Sequence, residues 1–463
     1  MIDIGIISLY LLITLLAGIY NRSRSSSLSG YSKIGNDINS NRLILTATIF
    51  ASAVGGGTTF GITEKAFGHN LSYAYGLLLT IPIDLWIARY LVPRMTIYNN
   101  VSSIGEIVGK FYGDNARIIT GIAAALISMG YLSVQISVSG RIFSFIFGID
   151  YVAAVILSYA IVIFYTTIGG LRSIVINNSI QFLAMIFAIP MVTIFGIYHV
   201  GFYEFFSSIP ETKYNLFAEN NLFLHTIYAT LSFSVMGFYP SFIQRVLIGK
   251  TAKPITHAIY LKTFIYAIFI VALSLNGLLA LEITPDSLHT HSLTSLIDEI
   301  IPVGFKGFIV IGLLASVMST ADSDLNISAI SIVNDILRPL GVTRSERNLL
   351  ISTKILSVLI GSSAILIVMR FESLVELIIF SAGLWAPVIA VPLIGILYNK
   401  IISRTGFYCC SFLGASTFIG VETIGNNPAI SGIFAGVMAS LLCFVGFYFC
   451  EIITSSRGAT TKL

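Results

Sequence analysis

The sequence predicts an all-α membrane protein that crosses the bilayer many times. Hydrophobic residues make up 56% of its 463 residues and charged residues only 10%, whereas about a quarter of the residues in a soluble domain are charged. Apolar runs of about twenty residues, each long enough to span a bilayer, recur along the chain. Because these runs are continuous rather than alternating, a transmembrane β-barrel is excluded. One membrane domain, 1–463, is expected.

The apolar runs predict about thirteen transmembrane helices. The first is interpreted as a retained helix rather than a signal peptide, because no basic segment precedes it and no small-residue cleavage signal follows it. A short amphipathic helix at the membrane surface is expected within 93–116. The predicted spans cover residues 2–20, 41–66, 70–92, 117–145, 150–169, 172–200, 221–247, 256–284, 303–337, 345–370, 372–399, 404–424 and 428–452.

The positions of the basic residues predict the orientation in the membrane. With the N-terminus outside, all but five of the 26 Lys and Arg residues, Lys262 included, belong to inner segments, as the positive-inside rule requires. We therefore expect a multi-pass protein of the cell (inner or plasma) membrane with a cytoplasmic C-terminus. The net charge of +4 follows from this topology and does not indicate nucleic-acid binding. The five exceptions are Lys65, Arg141, Lys213, Lys306 and Arg370.

The predicted helix at 303–337 carries a polar face in its second half. Ser316, Ser319, Thr320 and Ser323 lie at positions i, i+3, i+4 and i+7, so their four hydroxyls share one face. Small hydroxyls also serve helix packing. Asp322 changes that interpretation, because a carboxylate within a span is costly and marks an ion or proton path by default. The second carboxylate, two residues on, is expected to face the inner surface and to be solvated.

Three consecutive glycines interrupt the predicted helix at 41–66, in the stretch AVGGGTTFG at 53–61. Each glycine costs about 1 kcal/mol of helix propensity relative to alanine. Glycines also permit close helix packing, but a broken helix frees backbone carbonyls, and such breaks occur at membrane depth where they line a cavity. A monovalent cation such as sodium prefers several oxygen ligands with little formal charge. The break and the hydroxyl face together predict a cation site.

Three stretches of the chain together resemble the sodium:solute symporter family, which includes carriers of proline, pantothenate, sugars and sialic acid. TTIGGLRSIVINNSIQF (166–182) resembles its first signature and YPSFIQRVLIGKTA (239–252) its second. LLASVMSTADSDLNISAISIVNDIL (313–337) resembles its sodium-binding helix. The resemblance spans essentially the whole chain. It implies a secondary active transporter, not an enzyme, that carries a small organic solute into the cell with sodium by alternating access.

The resemblance also implies a LeuT-type fold with two inverted repeats of five helices, each beginning with a discontinuous helix. Gly55 to Gly57 would break the first such helix, and MGFYP at 236–240 the second. The repeats would cover 41–200 and 221–399. A leading helix and inner loop at 1–40 would precede them, and two peripheral helices with a short tail at 400–463 would follow.

Cation ligands follow from the same resemblance. The carbonyls of Ala51, Val54 and Ser316 and the hydroxyls of Ser319 and Thr320 would bind sodium, in agreement with the hydroxyl face. Some family members bind a second sodium through an aspartate of the first signature, where this chain has an asparagine. A second cation or proton site is therefore expected only with help from neighbouring groups; its candidates are Asp322, Ser323 and Asn178.

The solute would lie beside the unwound glycine segment. We expect it to contact Thr58, Thr59, Gln135, Phe233 and Trp385, which the family pattern places around that segment. Its class stays open between amino acid, organic acid and sugar. Two further buried charges, Asp84 and Arg141, are expected to pair with each other or with Glu64.

Sodium is the expected coupling ion, and no organic cofactor is expected. A proton-coupled symporter that uses Asp322 is the alternative, followed by a membrane sensor or a channel built on the same fold. The expected partners are the solute and the lipid bilayer, with no nucleic acid, and the protein is expected to function as a monomer.

Overall fold

The computed structural model describes residues 2–20, 31, 41–217, 223, 226–227, 230–231, 234, 238–342, 345–369, 374–424 and 429–460. Every regular element within these residues is a helix. Nine of the described helices are long and apolar enough to cross a membrane, and one bent helix pair adds a tenth span if it counts as one. The predicted all-α polytopic class is confirmed.

The helices are labelled in chain order. They are α1 (Ile2–Tyr20), α2 (Arg42–Ala53), α3 (Gly56–Gly68), α4 (Ser72–Tyr98), α5 (Ile104–Tyr112), α6 (Asp114–Phe147), α7 (Tyr151–Val200), α8 (Pro240–Ile248), α9 (Ala252–Ile283), α10 (Ser292–Ile300), α11 (Phe305–Leu337), α12 (Glu346–Val368), α13 (Leu374–Gly383), α14 (Val391–Leu397), α15 (Arg404–Ile424) and α16 (Ala429–Thr460).

Helix α7 joins two of the predicted spans. It contains 50 residues, which as one straight helix would reach about 75 Å, more than twice the roughly 30 Å of a hydrocarbon core. Gly170 breaks it, with φ 61° and ψ −165°, a left-handed conformation that glycine adopts without steric cost. The halves correspond to the predicted helices at 150–169 and 172–200. Eleven of the 27 residues of the predicted helix at 221–247 lie outside the described residues, so the count of thirteen stays a prediction.

Helix α11 forms the centre of the molecule. The apolar window of α11 is 94% buried, against 28% for that of α1, and α11 packs against α1, α6 and α7. Its polar second half therefore faces protein rather than lipid. Asp324, expected to be solvated, is fully buried and accepts a hydrogen bond from Ser241 at 2.6 Å. That expectation was wrong because the neighbouring helices cover every side of α11.

The start of α11 is held by the N-terminal helix. The Asp3 carboxylate accepts hydrogen bonds from the backbone N–H groups of Gly304 and Gly307, at 3.0 and 2.6 Å to Oδ1. A carboxylate at a helix start satisfies amides that have no partner within the helix and interacts favourably with the helix dipole. Helix α1 thereby fixes the end of α11 that lies farthest from its polar half.

The predicted amphipathic helix within 93–116 is confirmed as α5. Ser103 caps it, since its hydroxyl accepts from the Glu106 N–H at 3.4 Å. The same hydroxyl donates to Asp335 near the end of α11 at 2.6 Å, and Arg117 of α6 donates to that carboxylate at 3.2 Å. These bonds connect α5 and α6 to the polar end of α11.

The predicted helix at 41–66 is broken at the glycines. Helix α2 ends at Ala53, Val54 and Gly55 are extended (ψ 92° and −175°), and α3 begins at Gly56. The two helix axes differ by 56°. A Cβ atom on Gly55 would lie 2.8 Å from Gln135 Nε2 and 2.9 Å from Thr320 Oγ1. A residue with a Cβ at this position would have to displace the Gln135 and Thr320 side chains.

The break predicted at 236–240 lies partly outside the described residues, which exclude Met236 and Gly237. Helix α8 begins at Pro240, after Tyr239 in an extended conformation (φ −102°, ψ 164°). Proline is favoured at the first helical position because its missing N–H would have no helical partner there.

Candidate functional site

At the helix break, the backbone carbonyl of Ala51 bonds to the polar face of α11 instead of to its own helix. In a continuous helix, Ala51 O would accept from the N–H of Gly55, but Gly55 lies in the extended segment. Ser319 Oγ donates to Ala51 O at 2.8 Å instead, and Thr320 Oγ1 lies 3.3 Å from the same oxygen. The sequence separation across this contact is 268 residues.

The same two hydroxyls contact a second carbonyl on α11 itself. Ser319 Oγ and Thr320 Oγ1 lie 3.1 and 3.2 Å from Ser316 O. The three residues and Ala51 are at most 5% exposed. Of the five predicted cation ligands, the structure joins these four by hydrogen bonds. The fifth, Val54, is fully buried in the extended segment three residues after Ala51.

This cluster, named here the hydroxyl cluster (Ala51, Ser316, Ser319 and Thr320), contains oxygen atoms and no formal charge. Each hydroxyl carries one donor and two lone pairs, and its O–H rotates to suit its surroundings. With the O–H groups turned away, the hydroxyl lone pairs and the two carbonyls could all point at one cation. Uncharged oxygens suit a monovalent ion that must later be released.

The candidates for a second cation or proton site do not form one contact group. Asp322 is fully buried; its Oδ2 accepts from Tyr165 OH at 3.0 Å and its Oδ1 from Ser323 Oγ at 3.1 Å. The buried Arg245 donates to Ser323 Oγ at 2.5 Å. A fixed positive charge thus stands next to Asp322, separated from it by one hydroxyl.

Asn178, the third candidate, contacts α2 rather than Asp322 or Ser323. Its Nδ2 donates to Thr48 Oγ1 at 3.2 Å, and among the described residues no hydrogen bond joins it to Asp322 or Ser323. Within the part of the chain that the structure describes, Asn178 Oδ1 and both polar atoms of Gln181 have no hydrogen-bond partner. The second site stays a prediction.

A cavity of about 170 Å³ borders the helix break. Two predicted solute residues, Thr58 and Gln135, line it, as does Thr320 of the hydroxyl cluster. Gln135 Oε1 accepts from the Gly56 N–H at 2.7 Å, which fixes the start of α3. The other lining residues are Ser52, Ala53, Gly55, Gly57, Tyr73, Leu77, Thr80, Ile83, Asp84, Tyr131, Ser234, Tyr239, Phe242, Lys262, Tyr266 and Ile378.

Two other predicted solute residues, Thr59 and Trp385, do not line this cavity. Thr59 faces the hydroxyl cluster, 3.4 Å from Ser316 Oγ. Trp385 is fully buried, donates from Nε1 to Phe238 O at 2.9 Å, and is absent from the cavity wall. Phe233 lies outside the described residues. A role for these three in solute contact stays a prediction.

The cavity wall contains an ion pair that sequence reasoning missed. Lys262 Nζ of α9 lies 2.7 Å from Asp84 Oδ2 of α4. Arg141 pairs with Glu64 at 3.1 Å, one of the expected alternatives, but Asp84 takes a partner that was not considered. The count of basic residues grouped Lys262 with the inner segments, although it lies ten residues into α9. An apolar run around a lysine was the available signal, since intramembrane charges mark functional sites.

A family model and two known symporters match the sequence of this chain. The sequence model of the sodium:solute symporter family matches residues 40–414. A sodium/proline symporter of Staphylococcus aureus is 26% identical over 348 residues, which cover 71% of this chain and 67% of that protein. A sodium/pantothenate symporter of Haemophilus influenzae is 21% identical over 421 residues, which cover 86% of each chain.

Known structures that are similar show the fold. A Na⁺-coupled sialic acid symporter in a substrate-bound outward-open state superposes with a TM-score of 0.85 at 16% identity, covering 97% of this chain and 98% of that chain. MhsT in complex with L-phenylalanine gives a TM-score of 0.56 at 15% identity, covering 89% and 99%. The expected LeuT-type fold is confirmed.

Proposed function

The chain belongs to the sodium:solute symporter family, and from this premise we propose that it is a secondary transporter that carries a small organic solute together with sodium. The observation that supports this proposal best is the contact of Ser319 and Thr320 with Ala51 O at the helix break. Two helices far apart in sequence there supply uncharged oxygens to one buried point, as a releasable monovalent cation requires.

We propose that sodium is held by the carbonyls of Ala51, Val54 and Ser316 and by the hydroxyls of Ser319 and Thr320. An ion at this position would tie α11 to the junction of α2 and α3. Because a ligand shifts a conformational equilibrium only by its differential affinity for the two states, sodium would favour the state in which the two helices meet. Release of sodium would free the break to move.

The electrical driving force suffices for a useful pump. One charge that crosses a potential of 100 mV is worth about 2.3 kcal/mol, which corresponds to roughly 50-fold accumulation of a neutral solute. One sodium per solute is therefore enough to drive uptake. We propose that one sodium is transported with each solute and that it binds at the hydroxyl cluster.

The arrangement in the membrane is part of the proposal. Two inverted repeats, 41–200 and 221–399, would rock against each other around the site, flanked by 1–40 and 400–463 within one domain. The N-terminus would lie outside and the C-terminus in the cytoplasm of a cell-membrane protein that works as a monomer. The positive-inside distribution of the 26 basic residues supports this orientation.

Uptake into proteoliposomes tests the coupling ion. Labelled L-proline and pantothenate, the solutes named for the two relatives, serve as first probes, with sodium or choline outside at a fixed pH. Ser319→Ala is expected to raise the sodium concentration for half-maximal uptake by about tenfold, since one hydrogen-bonding ligand is worth roughly 1–2 kcal/mol. Ser328→Ala is the matched control: it is a buried serine on α11 whose hydroxyl has no partner among the described residues.

Uptake that continues undiminished in choline would contradict sodium coupling. A pH gradient that drives uptake in choline, and fails to do so after Asp322→Asn, would instead support the proton-coupled alternative. Asp322 is the buried carboxylate nearest to the hydroxyl cluster along α11, and this position motivates the comparison.

A further inference from the structure

The solute cavity is bordered by charges of both signs. Asp84 and Lys262 both line it, with side chains 21% and 7% exposed. Their contact is 2.7 Å long, and Thr263 Oγ1 lies 3.4 Å from the same carboxylate oxygen. Charged residues within a membrane span are rare, pair with each other, and mark substrate or ion paths. Both residues of the pair line the cavity, so they are in a position to contact its occupant.

Both partners keep hydrogen-bonding capacity for another molecule. The described contacts of Asp84 fall on Oδ2, and no described residue bonds to its Oδ1. The Lys262 ammonium has three N–H donors, of which Asp84 takes one. It also lies 4.8 Å from the centre of the Tyr266 ring, and Tyr266 lines the same cavity. One free acceptor and at least one free donor, of opposite charge, therefore stand side by side.

The charge balance of the pair discriminates between classes of solute. A solute with one carboxylate and one ammonium can bond to Lys262 and Asp84 together, and the net charge of the site does not change. A solute with a single charge leaves one residue facing a like charge or no partner, which is strongly unfavourable for a buried pair. A neutral solute has no charge to offer either group.

The size of the cavity restricts the solute further. Cavities of about 150 Å³ accommodate a molecule the size of benzene, and this cavity measures about 170 Å³. A free amino acid or a similar compact zwitterion fits this volume, whereas a sugar chain does not. The apolar side chains of Leu77, Ile83, Phe242 and Ile378 in the wall leave room for an uncharged side chain.

We propose that the transported solute is a small zwitterion, whose carboxylate bonds to Lys262 and whose ammonium bonds to Asp84. This inference rests on the proposed transport function and specifies its solute class. The Lys262 and Asp84 pair, together with the cavity of about 170 Å³ that it borders, carries the proposal. Sodium in the hydroxyl cluster would be linked to this solute through Thr320, which belongs to both sites.

Thermal unfolding of the purified full chain tests the solute class. Sodium alone, compared with choline at equal ionic strength, reports the cation site. Free amino acids and glycine betaine are then added as zwitterions, each next to charge-deleted analogues: alanine beside lactate and alaninamide, and proline beside tetrahydrofuran-2-carboxylate and prolinamide. Pantothenate and glucose represent larger anions and neutral solutes. A ligand that binds only the folded state raises the unfolding temperature, and we expect such a rise from at least one zwitterion and from none of the other compounds.

Variants of the pair test the assigned contacts. Asp84→Asn and Lys262→Gln are each expected to weaken binding of the stabilising zwitterion by about a hundredfold, since each removes the counter-charge of one of the solute's two charged groups in the bound state. Lys306→Gln is the control, because it removes an ion pair with Asp298 that lies outside the cavity wall. The double variant Asp84→Asn with Lys262→Gln leaves no unpaired charge and is expected to fold. It should bind the zwitterion no better than the charge-deleted analogues.

The outcomes separate this inference from the proposed function. Stabilisation by a monoanion, a cation or a sugar as strong as that by any zwitterion would overturn the inference, and so would a double variant that still prefers the zwitterion. Either result leaves sodium coupling intact if sodium alone raises the unfolding temperature. If sodium does not raise the unfolding temperature but zwitterions still raise it selectively, the sodium claim is overturned and the solute class is supported.

Discussion

The helix break between α2 and α3 presents two different surfaces. On one side Ala51 meets Ser319 and Thr320, all buried and without formal charge. The same segment also borders a cavity whose wall includes the ion pair of Asp84 and Lys262. One interruption of a helix therefore serves an uncharged oxygen cluster and a charged cavity.

The difference between the two surfaces reflects what each has to bind. An inorganic cation brings its own charge, and too many carboxylates around it would favour divalent ions or hinder its release. A solute with fixed charges needs groups of opposite sign at set positions, and the protein can keep these in the membrane only as a mutual pair. Thr320 is the described residue that belongs to both surfaces.

Gly55→Ala would break both surfaces at once and is expected to have the largest effect. The added Cβ would lie 2.8 to 2.9 Å from side-chain atoms of Gln135 and Thr320, so Gln135 could not keep its bond to the break and Thr320 could not keep its place in the hydroxyl cluster. We expect transport to fall by about a hundredfold or more, in line with the loss that a shift of about 1 Å in a binding geometry can cause. Sodium-dependent uptake in proteoliposomes measures it.

Gly61→Ala is the matched control for that variant. Gly61 lies in the same helix, α3, and a Cβ there would meet no atom within 4 Å. The substitution should stabilise the helix by up to about 1 kcal/mol and leave uptake unchanged. Equal losses in the two variants would mean that the close approach at Gly55 has no functional role.

Asn178→Asp tests whether the cation side binds a single sodium because it lacks a carboxylate. It adds a carboxylate beside Thr48 of α2, at the position where family members with a second sodium have an aspartate. We expect a steeper sodium dependence of uptake, because a second cation would balance the new charge, and the Hill slope measures it. A slope that stays near one in a folded, active variant would contradict this prediction.

Asp3→Asn tests whether distant changes leave both surfaces intact, and its expected effect is the smallest. The carboxylate accepts from Gly304 and Gly307 at the start of α11. Asparagine keeps an acceptor oxygen but removes the charge, whose interaction with the helix dipole is worth about 0.3–1 kcal/mol. The unfolding temperature should fall by about a degree or less, while the half-maximal sodium concentration stays the same. A change in sodium dependence would show that the start of α11 is coupled to its polar half.

The sequence alone predicted most of the fold and one of the two surfaces. Apolar runs of bilayer length, three adjacent glycines and hydroxyls at helical spacing are local signals, and they located the break, α11 and the Ser319 side of the site. Asp84 and Lys262 are 178 residues apart, and no local period connects them. Their pairing depends on how α4 packs on α9. In the same way, the burial of Asp324 depends on how several helices enclose α11.

Coupling between sodium and solute tests the account most directly. The measurement is the affinity of the stabilising zwitterion with and without sodium, in the native chain and in Thr320→Ala. We expect sodium to raise that affinity by about tenfold or more in the native chain, as a typical coupling free energy of 1–3 kcal/mol implies. Thr320→Ala should bind the zwitterion in choline about as well as the native chain does, but gain little from sodium. An equal gain from sodium in both proteins would contradict the claim that one helix break links the two sites.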